Sequence, residues 1–189
     1  MYGRRAWLAS VLVLASVTPC LAEDMTAPAN IQARILTVLL ANERGFARQA
    51  GGEVRIHLVE APGDMNSEHA VQQMRSMLAD LGEVNRRPLQ IEIVPFSDPE
   101  ALIASCRAKN VHALYIAPGL GQHVAAIAHS LGATAILTFA AVESYVPAGI
   151  VVGVSITSGK PKMSINLTQA RAQRLDIPAA VLALAKVYQ

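Results

Sequence analysis

"LQIEIVPFSDPEALIASCRAKNVHALYIAP", Leu89 to Pro118, reads as a strand, a helix and a second strand in immediate succession. "LQIEIVPF" is apolar and β-branched over the length of a strand. "DPEALIASCRAK" begins at Asp98 with Pro99 in the first helical turn, where a missing N–H costs nothing. "ALYIAP" is short and wholly apolar, as a strand covered on both faces should be.

The same rhythm continues on either side. Upstream, "EVRIHLVEAP" is a strand closed by Pro62–Gly63. In "NSEHAVQQMRSMLADLG", Ala70, Val71, Met74, Met77, Leu78 and Leu81 recur at helical spacing, with Asn66 or Ser67 as the cap and Gly82 as the end. Further upstream, "ANIQARILTVLLANERGFARQAGG" predicts one helix from Ile31 to Arg48. Ile31, Ile35, Val38, Leu39 and Phe46 fall on one side, and Gly51–Gly52 stops it. Downstream, "GQHVAAIAHSLG" is a helix ending at Gly132 and "TAILTF" a fourth strand. After the loop "AAVESYVPAG", "IVVGVSITSGKPKMSINL" is a pair of strands around Ser158–Gly159, with Met163, Ile165 and Leu167 alternating toward the core. Asp176 and Pro178 then start a last helix whose stripe of Val181, Leu184, Ala185 and Tyr188 should close the core. The pattern predicts an α/β fold: a mainly parallel sheet flanked by helices on both faces, with right-handed crossovers, ending in an antiparallel hairpin and C-terminal helices.

Composition bounds the rest. The chain has 189 residues, 52% hydrophobic and 16% charged, which suits one domain with a sizeable core. Arg4 and Arg5, the apolar run from Ala6 to Val17 and the small-residue site in "TPCLA" form a signal peptide over 1–22, cleaved after Ala22. The apolar run is too short for a comfortable bilayer span. A single domain over 23–189 and export to the periplasm are therefore expected, by the general or the twin-arginine route, since "RRAWL" fits both. Cleavage removes Arg4 and Arg5 from 16 basic residues, leaving 14 against 14 acids. A near-neutral chain with no basic run and few aromatics is not built for nucleic acid. Cleavage also removes Cys20 and leaves Cys106 alone, so no internal disulfide can form.

The residues that could carry chemistry do not assemble into a catalytic set. His57, His69, His112, His123 and His129 are scattered; His123 and His129, six apart, lie on different helical faces, so no metal site is expected. No HExxH or GxSxG pattern occurs. Cys106 falls on the apolar side of its helix and reads as a buried, inert thiol. "PGLGQH" follows a strand and opens a helix, but lacks the third glycine of a dinucleotide site and the lysine of a P-loop, so no cofactor is expected. If a ligand or partner is bound, the physics of open parallel sheets puts it at the strand carboxyl ends. The polar candidates there are Glu60, Ser97, Gly119, Gln122, Glu143 and Ser144. Asn166, in the acceptor triplet "NLT", reads better as the residue that turns the strand into a helix.

The stretch "AILTFAAVESYVPAGIVVGVSITSGKPKMSINLTQARAQRLDIPAAVLALAKV" resembles the C-terminal signature of the YfiR-like family of small exported bacterial proteins. The matching pieces are Ala135–Phe139, Gly149, Ile150–Ile156, Lys160–Leu167, Ala170 and Leu182–Val187. The chain departs from the pattern at Ile150, where a second glycine is usual, and at Met163, where an aromatic is common. It departs again in "ANERGFARQ", where the family carries aromatics and a Trp-Pro end. Gly149, Asn166, Pro178 and Leu184 are the expected structural residues. The resemblance implies a non-catalytic regulator. The best-known members bind the periplasmic part of membrane-bound diguanylate cyclases and hold cyclic-di-GMP synthesis down, and dimers are reported among them. The expected partner is thus a membrane-bound sensor or signalling protein, with a homodimer also implied. The alternative expectation is a periplasmic small-ligand-binding protein, accessory to a transporter.

Overall fold

The computed structural model describes residues 27–48 and 52–189; the signal peptide expected over 1–22 and the helix stop expected at Gly51 lie outside them. In chain order the elements are α1 (Ala29–Asn42), α2 (Arg44–Arg48), β1 (Val54–Glu60), α3 (Met65–Leu81), β2 (Glu83–Val84), β3 (Arg87–Pro95), α4 (Pro99–Ala108) and β4 (Ala113–Ile116). There follow α5 (Val124–Leu131), β5 (Leu137–Ala140), β6 (Val152–Thr157), β7 (Lys160–Asn166), α6 (Leu167–Ala172), α7 (Ala179–Leu182) and β8 (Ala185–Tyr188).

The strands form one sheet in the order β2-β3-β1-β4-β5-β6-β7-β8. β3, β1, β4, β5 and β6 run parallel, β6 and β7 make an antiparallel hairpin, and β8 lies parallel to β7. β1, β4 and β5 sit centrally, so their apolar runs are buried on both faces. Because α3 carries the chain from β1 outward to β3 and α4 carries it back past β1 to β4, right-handed crossovers place these helices on opposite faces. α1 packs with α3 on one face and α4 with α5 on the other. The sheet and its two helical layers are the α/β arrangement expected from sequence.

Local signals account for most boundaries. Asn85–Arg86 and Ser158–Gly159 both take positive φ at two successive residues, the geometry of tight hairpin turns. The first of these adds β2, which the sequence reading had not separated from its surroundings. α3 is capped neither by Asn66 nor by Ser67: Asp64 Oδ1 accepts their two N–H groups at 2.8 and 3.0 Å. Ser67 Oγ instead accepts the Ala61 N–H at 2.7 Å. Gly82 ends the helix at φ 71°.

Two expectations are corrected. The helix expected over 31–48 breaks at Glu43, which is extended (φ −68°, ψ 122°). Its buried stripe runs through Ala33, Leu36, Leu39 and Leu40, while Val38 is 57% exposed. The last helix is also shorter than its stripe implied. α7 ends at Leu182, and the chain then pairs with the open edge of β7, where backbone groups would otherwise lack partners. Pro178 does stand at the start of α7. Leu184, however, is 81% exposed and closes no core. Leu184→Ala is therefore expected to change stability by less than about 0.5 kcal/mol in urea unfolding.

Candidate functional site

The sheet order reverses direction between β1 and β4, since the chain leaves β1 toward one edge and β4 toward the other. Crevices at such switch points, outside the strand carboxyl ends, are where open α/β sheets bind ligands. A cleft of about 350 Å³ lies there, between the loop after β1 and the loop after β4. Ser97, Gly119 and Gln122 line it, with Asp64, Phe96 and His123.

Each wall has a local cause. Gly119 has φ 84°, and a Cβ there would stand 2.5 Å from Asp64 Oδ2, so the two loops approach closely only because the residue is glycine. Phe96 and His123 meet with ring centroids 4.7 Å apart, and Gln122 Nε2 lies 3.1 Å from His123 Nε2. Ser97 Oγ reaches Asp98 Oδ2 at 3.5 Å, the same carboxylate whose Oδ1 caps α4 through the Ala101 N–H.

The remaining candidates lie apart from this cleft. Glu60 is the last residue of β1 and does not line it; its backbone oxygen accepts the Phe96 N–H at 2.8 Å. Glu143 and Ser144 lie beyond β5, on a short 3₁₀ turn, and Ser144 is exposed. The Glu143 carboxylate accepts the Ser164 hydroxyl at 2.7 Å and so ties that turn to β7. Burial alone would raise this carboxyl, but hydrogen bonds from Ser155 and Ser164 and the charges of Lys186 and Lys162 outweigh it and hold it below the usual range. Asn166 caps α6 through the Gln169 N–H and donates to Val146 O, both at 2.9 Å. Sequence reasoning missed Asp64, Phe96 and His123; the Pro-Gly-Asp turn directly before a helix was the signal for the first of them.

A second polar cluster sits inside the α4 face. His57 is buried, with Nδ1 3.8 Å from Cys106 Sγ and Nε2 3.3 Å from Glu92 Oε2, while Lys109 Nζ grips Glu92 at 2.6 and 2.8 Å. Burial pushes the Cys106 thiol up to about 11, which leaves it un-ionised and a poor nucleophile. Burial also lowers the His57 pKa, against the attraction of Glu92 and with the repulsion of Lys109. His112 is lowered as well, by burial first and then by Arg87 and Arg55. Below pH about 6.5 the unfolded chain takes up protons that these rings refuse. Their stabilising contribution is whole above that pH and is lost as pH falls toward the folded values, at no more than about 1.4 kcal/mol per pH unit for each ring. Urea midpoints at pH 7.5, 6.5 and 5.5 should therefore fall toward acid, and His112→Asn should flatten the slope. Among the described residues no group of three or more His, Cys, Asp or Glu could hold a metal ion.

The fold and the cleft define a doubly wound α/β domain. Solved structures share this fold, among them the following three. The ABC domain in complex with L-Trp from Streptococcus pneumonia has a TM-score of 0.63 at 15% identity, over 85% of this chain and 62% of that one. A conserved domain protein from Vibrio cholerae has 0.61 at 17%, over 88% and 61%. The ligand-free, open structure of a substrate binding protein with adhesive properties from Clostridium difficile has 0.61 at 12%, over 86% and 60%. The chain thus spans about three-fifths of the length of these structures, and at such identities the likeness is one of fold alone. No curated protein matches the chain.

Residues 65–186 match the YfiR/HmsC-like family, and the chain belongs to it. Membership supports, in general terms, a periplasmic regulator. Among the described residues no helix is long and apolar enough to cross a membrane.

Proposed function

We propose that the protein is exported on a signal peptide spanning 1–22 and acts as a single domain over 23–189. In this reading it is a non-catalytic regulator that binds the periplasmic part of a membrane signalling protein, a diguanylate cyclase being the favoured class, and represses it. The observation that carries this reading is the family match over residues 65–186. The strand carboxyl ends, with Ser97, Gly119 and Gln122 in the cleft and Glu60, Glu143 and Ser144 outside it, are the proposed contact face. Backbone-rich loops on a rigid sheet suit a recognition surface. A homodimer is part of the same proposal. The test is crosslinking in the native host, followed by solubilisation and identification of what co-purifies with a C-terminally tagged chain. Recovery of a membrane protein with a periplasmic sensor part and a cytoplasmic cyclase part is expected. Recovery of the tagged chain alone would overturn the reading.

A second reading, a small-ligand-binding protein accessory to a transporter, is favoured by the cleft at the switch point. Its volume is at the small end of ligand sites. A thermal-shift screen beginning with L-Trp and other amino acids tests it, since a ligand at a hundred times its Kd stabilises by about 2.7 kcal/mol. No shift from any metabolite class counts against it.

A further inference from the structure

The amino ends of the same strands carry a different surface. Arg55 follows Val54 at the start of β1, Arg87 opens β3, Arg107 lies in the last turn of α4, and His112 and Thr134 stand ahead of β4 and β5. Together they line a groove of about 920 Å³. Among the described residues Glu53 is the one acid in that lining, and it already faces Arg55 Nη2 at 3.4 Å. Part of the positive charge holds helix ends. Arg55 Nη1 donates to Lys109 O after α4 at 2.7 Å. Arg87 reaches Phe46 O and Glu53 O at 3.5 and 3.4 Å and lies over the Phe46 ring.

The capacity that remains is almost entirely that of donors. The Arg107 side chain makes no hydrogen bond or ion pair among the described residues. His112 Nδ1 accepts the Arg55 N–H at 3.1 Å, so in the neutral ring the proton sits on Nε2, which becomes a donor. Arg87 Nε and Thr134 Oγ1 are buried without a partner among the described residues. Orphaned polar atoms of this kind are uncommon, and each calls for an explanation.

We propose that this groove binds a small oxyanion, the phosphate or carboxylate group of a soluble ligand, between Arg107, His112 Nε2 and the Arg87 guanidinium. Planar guanidinium forks match the oxygens of either group. The groove's volume lies within the range of small-molecule sites. The carbonyl ends of α4 and α5 also arrive here and oppose an anion, but three guanidinium groups against one carboxylate leave the lining net positive. Burial, and then the charges of Arg87 and Arg55, keep His112 neutral near pH 7, so it offers Nε2–H without adding a charge of its own. The site stands at the opposite end of the strands from the proposed contact face, so it can succeed or fail independently of that face.

Calorimetric titration of the purified protein with inorganic phosphate, and separately with citrate, tests the proposal at ionic strength held constant with sodium chloride. Saturable binding of at least one is expected, weakened by about ten-fold or more in Arg107→Glu, less in Arg107→Gln, and unchanged in Lys162→Glu on the β6–β7 hairpin. Phosphate binding alone identifies a phosphate-bearing ligand, and citrate binding alone a carboxylate. Arg107 and Lys162 are exposed, so all three variants should stay folded, with at most a small fall in urea midpoint where Glu replaces a cation at the end of α4 or beside Glu143. If neither anion binds above the chloride background, or Arg107→Glu and Lys162→Glu weaken binding equally, the groove is not an anion site.

Discussion

Glu43→Ala is expected to destabilise the protein by about 3 kcal/mol, although Glu43 belongs to no helix or strand. Glu43 is 6% exposed, and its carboxylate collects three backbone N–H groups: Gly45 and Phe46 at the start of α2, and Asp176 from the segment between α6 and α7. One side chain thus caps the second helix and fastens the C-terminal region to the first. Hydrogen bonds to a charged acceptor are worth about 1.5–3 kcal/mol each, but they do not add, and water will reach some of the donors that alanine abandons. Glu43→Gln separates the parts. It can keep Oε1 for Gly45 and Asp176, but it turns an amide NH₂ toward the Phe46 N–H, so a loss of about 1–2 kcal/mol is expected. Urea unfolding measures both. A Glu43→Ala variant within about 0.5 kcal/mol of the parent would show that Phe46 packing, and not the carboxylate, holds this corner.

Glu43 also marks where sequence reading reached its limit. Elements with a strong period were legible because burial imposes that period. β4 and β5 are short, almost wholly apolar and buried because helices cover both their faces, and α3 shows Val71, Met74 and Leu78 at helical spacing because one face of it meets the sheet. Turns were legible where glycine supplies the positive φ, as at Gly82 and Ser158–Gly159. What failed was set by distant partners. The break at Glu43 depends on Asp176, more than a hundred residues away, and no local pattern reports it. At the other end, "ALAKV" has good helix formers, but the open edge of β7 recruits it as a strand. Leu184 was misplaced for that reason. The cleft was half legible. Strand ends locate Ser97, Gly119 and Gln122, but only the strand order decides that the loops after β1 and β4 face each other, which brings in Asp64 and leaves Glu143 outside.

Gly149→Ala is the second large effect, and here two separate penalties coincide. Gly149 has φ 127°, where an L side chain is strained, and a Cβ built on it would stand 2.5 Å from the Ala128 Cβ of α5. Backbone strain costs about 1–3 kcal/mol and overpacking about 1–3 more, so a loss of about 2–6 kcal/mol is expected in urea unfolding. The two terms can be told apart. Ala128→Gly clears the contact but leaves the dihedral angle unchanged, and alone it should cost about 1 kcal/mol as a glycine in a helix. On the Gly149→Ala background it should instead recover part of the loss, giving a favourable coupling between residues that touch. Full recovery would mean that the approach of α5 alone demands glycine. No recovery would mean that the path of the chain out of the loop demands it, since the Gly149 N–H closes a turn onto Val146 O at 3.2 Å just before β6. The same loop holds Glu143 against Ser164. Whichever term dominates, glycine at 149 sets how the loop beyond β5 meets the hairpin, and hence the position of that part of the proposed contact face.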